Sequence, residues 1–359
     1  MTPYYLLIIL PATVWLFSQK YQIASSDRIL LQKKRGGIGT FMLIFLIMLM
    51  LRGILCGADT PSYIRIFNEY NNYSLLELLV NYENEYGYKV LNKLIGLSTD
   101  NAQWVFVITS LMCVLPLWYF YKNESENPML TIALFLTVAP FTMYFSGVRQ
   151  AIAMGLGVVC WYVSKRKRLV WFILLVLLAM QFHTSAFMLF FMYPIYHARI
   201  TKKWLWFVVP CIIMVYVFRA PIFNFLVEFL WDEYVVASDL DAFMILILLV
   251  IFAVYSYIIP NEDELDQDTI ALRNFLLFSI VLQCFAPVHT LSMRMNYYYL
   301  IFVPILIPRI IIRSKLTYRM VAKFSAIVMC VYFVYYFVNK ANTGSDPLSI
   351  YPYVPFWRN

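Results

Sequence analysis

Apolar residues in this chain come in long blocks, with polar residues gathered in the gaps, and not in the strict alternation of half-buried strands. The blocks lie near residues 3–18, 38–52, 102–121, 129–146, 149–164, 169–183, 184–198, 204–218, 242–260, 274–290, 297–312 and 321–338. Each approaches the roughly 17 to 25 residues of a membrane-crossing helix, so the pattern predicts an all-α polytopic membrane protein with about twelve transmembrane helices. The stretch from 169 to 198 is read as two short helices meeting at His183. One helix of about 29 residues exceeds what a bilayer needs, and it puts KRKR and HARITKK on opposite sides.

The basic residues orient this pattern. Nineteen of the 28 Lys and Arg residues fall in the odd-numbered connections and nine on the other side, so the odd connections are expected in the cytoplasm and both termini outside. The N-terminal block has its positive charges after the apolar run, unlike a secretory signal, and is expected to stay attached. The chain, 1–359, reads as a single transmembrane domain with outer loops at about 53–101, 219–241 and 339–359. The segment NEDELDQDTIALR (261–273) is acidic yet lands inside; it lacks the glycine and spacing of a calcium loop and is expected to be a solvated connector.

Composition agrees with the pattern. Hydrophobic residues make up 62% and charged residues 13%, against about 25% charged in a soluble domain. The net charge of +8 sits in clusters between apolar blocks, which fits an anionic membrane leaflet and not nucleic acid. Six cysteines stand singly, without metal or redox spacing, and read as small core residues.

With this orientation, Arg52, Asp59, Tyr63, Glu85, Arg149, His183 and Arg294 all fall near the outer membrane surface. No block carries a charge near its middle, which argues against an ion-coupled transporter. Arg149 opens a block that runs inward, so its guanidinium and the unpaired amides of the helix start face one point, an anion site. The alternative is an arginine snorkelling to lipid phosphate. Ala151 with Gly155 and Ala153 with Gly157 have the small-xxx-small spacing of close helix packing. His183, in FHTSA, is either an interfacial residue beside a helix cap or a general base, with His289 ranked behind it. Asp59 and Glu85 serve as base or sugar ligand, or as solvated loop carboxylates.

Apolar positions at Tyr63, Ile66, Phe67 and Tyr70, then Val90, Leu91 and Leu94, predict helices lying along the outer surface. Trp231, Tyr234, Tyr351, Tyr353, Phe356 and Trp357 suit sugar stacking or an interfacial aromatic belt. Asp239 and Asp241 form a DxD pair read as a helix cap in preference to a metal site.

LRGILCGADTPSY (51–63), ENEYGYKVLNKL (83–94), GVRQAIAMGL (147–156), FHTSAF (182–187), RMNYY (294–298) and IYPYVPF (350–356) together resemble the EpsG family of Wzy-type polysaccharide polymerases. The resemblance implies a bacterial inner-membrane enzyme with a fold resembling that of GT-C glycosyltransferases. Such an enzyme polymerises lipid-linked repeat units for O-antigen, capsule or exopolysaccharide on the periplasmic side. Its donor would be a glycan on undecaprenyl diphosphate and its acceptor a lipid-linked unit, with a chain-length regulator as a further partner and no cofactor or metal. On that reading Arg149 and Arg294, helped by Arg52, stabilise the departing diphosphate, and Gln150 hydrogen-bonds it. His183 is the base, with Asp59 or Glu85 as substitutes, and Tyr63, Tyr297 and Tyr353 contact substrate. An O-antigen ligase, a flippase or exporter of lipid-linked glycans, and a structural subunit are the rival readings.

Overall fold

The computed structural model describes residues 2–20, 36–81, 85–230, 240–344, 346 and 348–358. Among them the secondary structure is helical, joined by turns and two isolated backbone bridges. The chain divides into two compact units, residues 1–187 with 327–359, and residues 188–326.

The first unit holds α1 (Thr2–Lys20), α2 (Gly36–Met50), α3 (Thr60–Asn71), α4 (Leu75–Asn81), α5 (Tyr86–Gly96), α6 (Gln103–Glu124), α7 (Pro128–Thr137), α8 (Met143–Ser146), α9 (Val148–Lys165) and α10 (Leu169–Met180). The single block expected over 129–146 is two pieces. The Asn127 side chain and Pro128 start α7, the first accepting from the Leu130 N–H at 3.2 Å. Pro140 then stops it, because proline donates no backbone hydrogen bond and disfavours helix in the residue before it. The break turns α8 into an aromatic core, where Phe45 meets Phe135, Phe141, Tyr144 and Phe145 with ring centroids 5.3 to 6.0 Å apart. The small-residue spacing in α9 has the expected result: Gly155 lies against the backbone of α6 at Met112 and Cys113.

A turn at 51–59 links α2 to α3, and backbone bonds hold it to the segment 348–356. The N–H groups of Gly53, Gly57 and Ala58 donate to the carbonyls of Val354, Ser349 and Leu348 at 2.8 to 3.0 Å, and the Phe356 N–H donates to Leu51. Gly57 has φ +100°, and a Cβ there would fall 2.2 Å from the Phe145 carbonyl oxygen. Only glycine fits that junction, which ties the turn to the start of α9.

In place of one span over 184–198 the chain forms a 3₁₀ segment, Thr184–Phe191, and α11 (Met192–His197). An i to i+3 bond from the Ala186 N–H to the His183 carbonyl, 2.9 Å, opens the tighter winding. Pro194 falls in the first turn of α11, where its missing N–H costs no helical bond.

The second unit continues with α12 (Leu205–Val217), α13 (Arg219–Leu230), α14 (Leu240–Ile258), α15 (Gln267–Phe285), α16 (Thr290–Leu300), α17 (Val303–Ile312) and the start of α18 (Arg319–Thr343), whose later part belongs to the first unit. α15 and α16 share a buried polar ladder. The Ser279 hydroxyl donates to the Asn296 carbonyl oxygen at 2.6 Å, and the Asn296 amide donates to Gln283 at 2.8 Å. Such bonds join helices where no water is at hand.

The acidic stretch after α14 is exposed at Asp263, Glu264 and Asp266, as a solvated connector would be, and is also pinned. Glu262 receives both Arg273 nitrogens at 2.8 and 3.2 Å, Arg273 also reaches the Ile200 carbonyl, and Asp266 caps α15 by accepting the Thr269 N–H at 2.9 Å. Asp266 lies 3.9 Å from Arg309 and 3.7 Å from Arg313 as well. Asp239, Trp231 and Tyr234, and the side chain of Asp241, lie outside the described residues.

Among the described residues three helices, Gln103–Glu124, Gln267–Phe285 and Leu316–Thr343, are long and apolar enough to cross a membrane by themselves. Two bent pairs, α12 with α13 at 75° and α16 with α17 at 41°, bring the number to five if each is one span. The other predicted spans fall on helices shorter than that length or less apolar.

Candidate active site

Three sequence blocks meet in the first unit. α9 begins just after Gly147 and carries Arg149 in its first turn, where backbone N–H groups lack helical partners. α5 begins just after Glu85. α10 ends at Met180, and the turn that follows carries His183.

The Glu85 carboxylate stands between the other two side chains. Its Oε2 accepts from Nη1 of Arg149, and its Oε1 lies 2.8 Å from Nδ1 of His183. The carboxylate side chain is 13% exposed, His183 19% and Arg149 37%, so the cluster is largely desolvated but open to solvent on the arginine side. Burial pushes the Glu85 carboxyl upward; the His183 hydrogen bond and the Arg149 charge outweigh it and hold the group below the usual carboxylate range. Glu85 sits in the left-handed backbone region, φ 53°, a conformation that costs a non-glycine residue about 1 kcal/mol or more.

Aromatic rings wall the cluster. Tyr63 of α3 and Tyr88 of α5 each lie 5.9 Å from the Arg149 guanidinium, and their own rings meet edge to face at 5.9 Å. With Phe106, Val148, Ile152 and Phe182 they form one buried patch beneath the charged groups. Burial raises the Tyr63 hydroxyl above its ordinary range, against the pull of Arg149. The sequence reading misses Tyr88; the paired tyrosines of ENEYGYKVL are the signal that could have found it.

The other candidates are distributed as follows. Arg52 is 1% exposed, stacked over the Phe106 ring at 4.5 Å with Nη1 donating to the Leu49 carbonyl at 3.2 Å. It faces protein, not lipid, and Tyr63 lies within electrostatic range of both Arg52 and Arg149. Asp59 is part-buried, its N–H donates to the Ser146 hydroxyl at 3.1 Å, and its carboxylate does not cap α3. Gln150 is buried beside Arg149 in α9. Tyr353, in the segment paired with the 51–59 turn, donates its hydroxyl to the Met48 carbonyl at 2.9 Å.

Arg294 and Tyr297 belong to α16 in the second unit, Arg294 exposed and Tyr297 half-buried. His289 is the N-cap of the same helix: its Nδ1 accepts the Leu291 N–H at 3.0 Å, and its ring stacks on Phe223 at 5.5 Å. That arrangement gives His289 a structural role. Among the described residues no three His, Cys, Asp or Glu side chains are grouped to hold a metal ion.

The Arg149–Glu85–His183 arrangement has the parts of an acid–base pair beside an anion clamp. A carboxylate on Nδ1 fixes the imidazole and leaves Nε2 as the atom that exchanges protons with a substrate. The chain was compared with known proteins. Neither curated proteins nor solved structures gave a match. Among protein families, the EpsG family matches residues 38–354, a span that takes in all ten candidate residues from Arg52 to Tyr353. A largely apolar all-helical chain with this match is a membrane protein of polysaccharide-polymerase type, and it belongs to the EpsG family, a Wzy-type polymerase-like family.

Proposed function

We propose that this protein lengthens a bacterial surface polysaccharide, moving a growing glycan from undecaprenyl diphosphate to a hydroxyl of a lipid-linked repeat unit at the outer face of the inner membrane. The bridging of Arg149 and His183 by Glu85 carries the reading, because it joins the two functions the reaction needs in one partly open cluster. Nε2 of His183 takes the acceptor hydroxyl proton as the oxygen attacks the anomeric carbon. The bond from that carbon to the diphosphate oxygen breaks, and the electron pair leaves with the diphosphate. Single displacement inverts the anomeric centre.

Arg149 and the first amides of α9 stabilise the charge that gathers on the leaving group. Glu85, held by Arg149 and by the His183 ring nitrogen, orients the histidine; Asp59, with no cap to form, is the reserve base. Tyr63 and Tyr88, buried beneath Arg149, hold the guanidinium in place for the diphosphate. The twelve-span topology with basic connections in the cytoplasm, and a GT-C-like architecture, belong to the same proposal.

The test is a ladder of lengthened products from membranes containing the protein and its lipid-linked repeat unit. His183→Ala and Arg149→Ala are each expected to lower the rate about a hundredfold, the size of losing one acid–base residue or one charge-stabilising group. Near-normal ladders from both remove the assignment. A single transfer to a different lipid, without a ladder, supports a ligase instead.

A further inference from the structure

α5 has an unusual start. Its N-cap residue is Glu85, yet the Glu85 side chain makes no capping bond to the helix and goes instead to His183 and Arg149. The unpaired N–H groups of the first turn are met from elsewhere. The Gln181 carbonyl accepts the Gly87 N–H at 2.9 Å and lies 3.4 Å from the Tyr88 nitrogen. Gln181 is itself the C-cap of α10, where carbonyls lack helical donors. One helix end therefore satisfies the other, and this is what frees the Glu85 carboxylate.

Gly87 makes that approach possible. A Cβ at this position would lie 3.0 Å from the Gln181 Cβ and 3.1 Å from its carbonyl oxygen, closer than side chains ordinarily pack. Gln181 is two residues before His183 and Gly87 two after Glu85, so the junction sets the separation of the two side chains that meet at 2.8 Å. It also accounts for the left-handed Glu85, whose backbone is fixed on one side by the docked helix.

The geometry points to Gly87 as a positioning residue: its contact with the Gln181 backbone sets the register of Glu85 on His183. The inference rests on the reading of these side chains as the active site.

The experiment uses the full chain in host cells lacking the chromosomal copy, and scores long polysaccharide per unit of protein in the membrane. Gly87→Ala is expected to cost about tenfold, since displacements of a fraction of an ångström at a reacting pair are expensive. Gln181→Gly in that background removes the Cβ that the new methyl meets but leaves the carbonyl oxygen at 3.1 Å, and is expected to recover part of the loss. Gly87→Ala added to Glu85→Gln is expected to cost nothing further, because the glycine acts through the carboxylate.

Wild-type activity from Gly87→Ala, or a full tenfold loss on top of Glu85→Gln, overturns the inference and leaves the active-site reading standing. Wild-type activity from Glu85→Gln overturns both. If Gly87→Ala fails to accumulate in the membrane, the Gly87→Ala/Gln181→Gly pair decides: partial recovery of level and activity supports the register, and absence of that protein too overturns the inference, because the contact then serves the fold as a whole.

Discussion

Two acidic nodes in this protein use the same side-chain types to different ends. In the first unit Glu85 joins an arginine that is 37% exposed and a histidine, on a strained backbone at the open side of an aromatic patch. In the second unit Glu262 joins Arg273, which is 1% exposed, is also bound to the Ile200 carbonyl and lies 4.0 Å from the Tyr257 ring. Asp266 nearby serves a helix cap and two arginines at once. The second node's buried arginine is satisfied from several directions. The first keeps a cation partly open to solvent and an imidazole nitrogen on the side away from its carboxylate. The carboxylates do not follow this order, Glu262 and Asp266 being 31% and 49% exposed against 13% for Glu85; the exposure of the arginine and the strained backbone separate the two nodes.

The contrast can be broken first at Arg273. Arg273→Ala removes a buried cation and is expected to cost about 3 kcal/mol, seen as a lower melting temperature or poor accumulation in the membrane. If the variant is as stable as wild type, the second node is not a staple. Glu85→Gln should do the reverse, slowing polymer formation about a hundredfold, or about 2.7 kcal/mol of barrier, with little change in melting temperature. Asp266→Ala, which loses a cap, is expected to cost about 1 kcal/mol without slowing polymer formation per folded molecule.

The smallest effect is in acid. Because the folded protein holds Glu85 below its ordinary range, its contribution to stability is complete above the unfolded carboxylate value, about 4.3, and fades as pH falls through the lowered folded value. Wild type should therefore lose melting temperature on acidification more steeply than Glu85→Gln. Parallel curves would show that the ion pair adds nothing to the fold.

Much of the first node is legible in the sequence as separate parts. Arg149 at a helix start and His183 at a helix break follow from the spacing of the apolar blocks. Their union does not, because Glu85 is 64 residues from the arginine and 98 from the histidine, and no local pattern encodes such a meeting. The acidic connector misleads in part for the same reason: the arginines that neutralise Asp266 lie in and just beyond α17, so a local reading leaves only solvent as its partner. His289 looks like a second base because a sequence does not show that its Nδ1 is already occupied by a helix start. The breaks near Pro140 and Pro194 are missed too: 129–146 and 184–198 read as continuous apolar spans, and proline alone does not mark a break, since Pro11, Pro116, Pro210 and Pro308 lie inside helices.

The bonds between the 51–59 turn and the 348–356 segment bear on biogenesis. Their partners are made about 300 residues apart, so the turn that carries Arg52 and Asp59 emerges from the ribosome long before the strand that fixes it. Closure of this corner therefore waits on synthesis of the 348–356 segment.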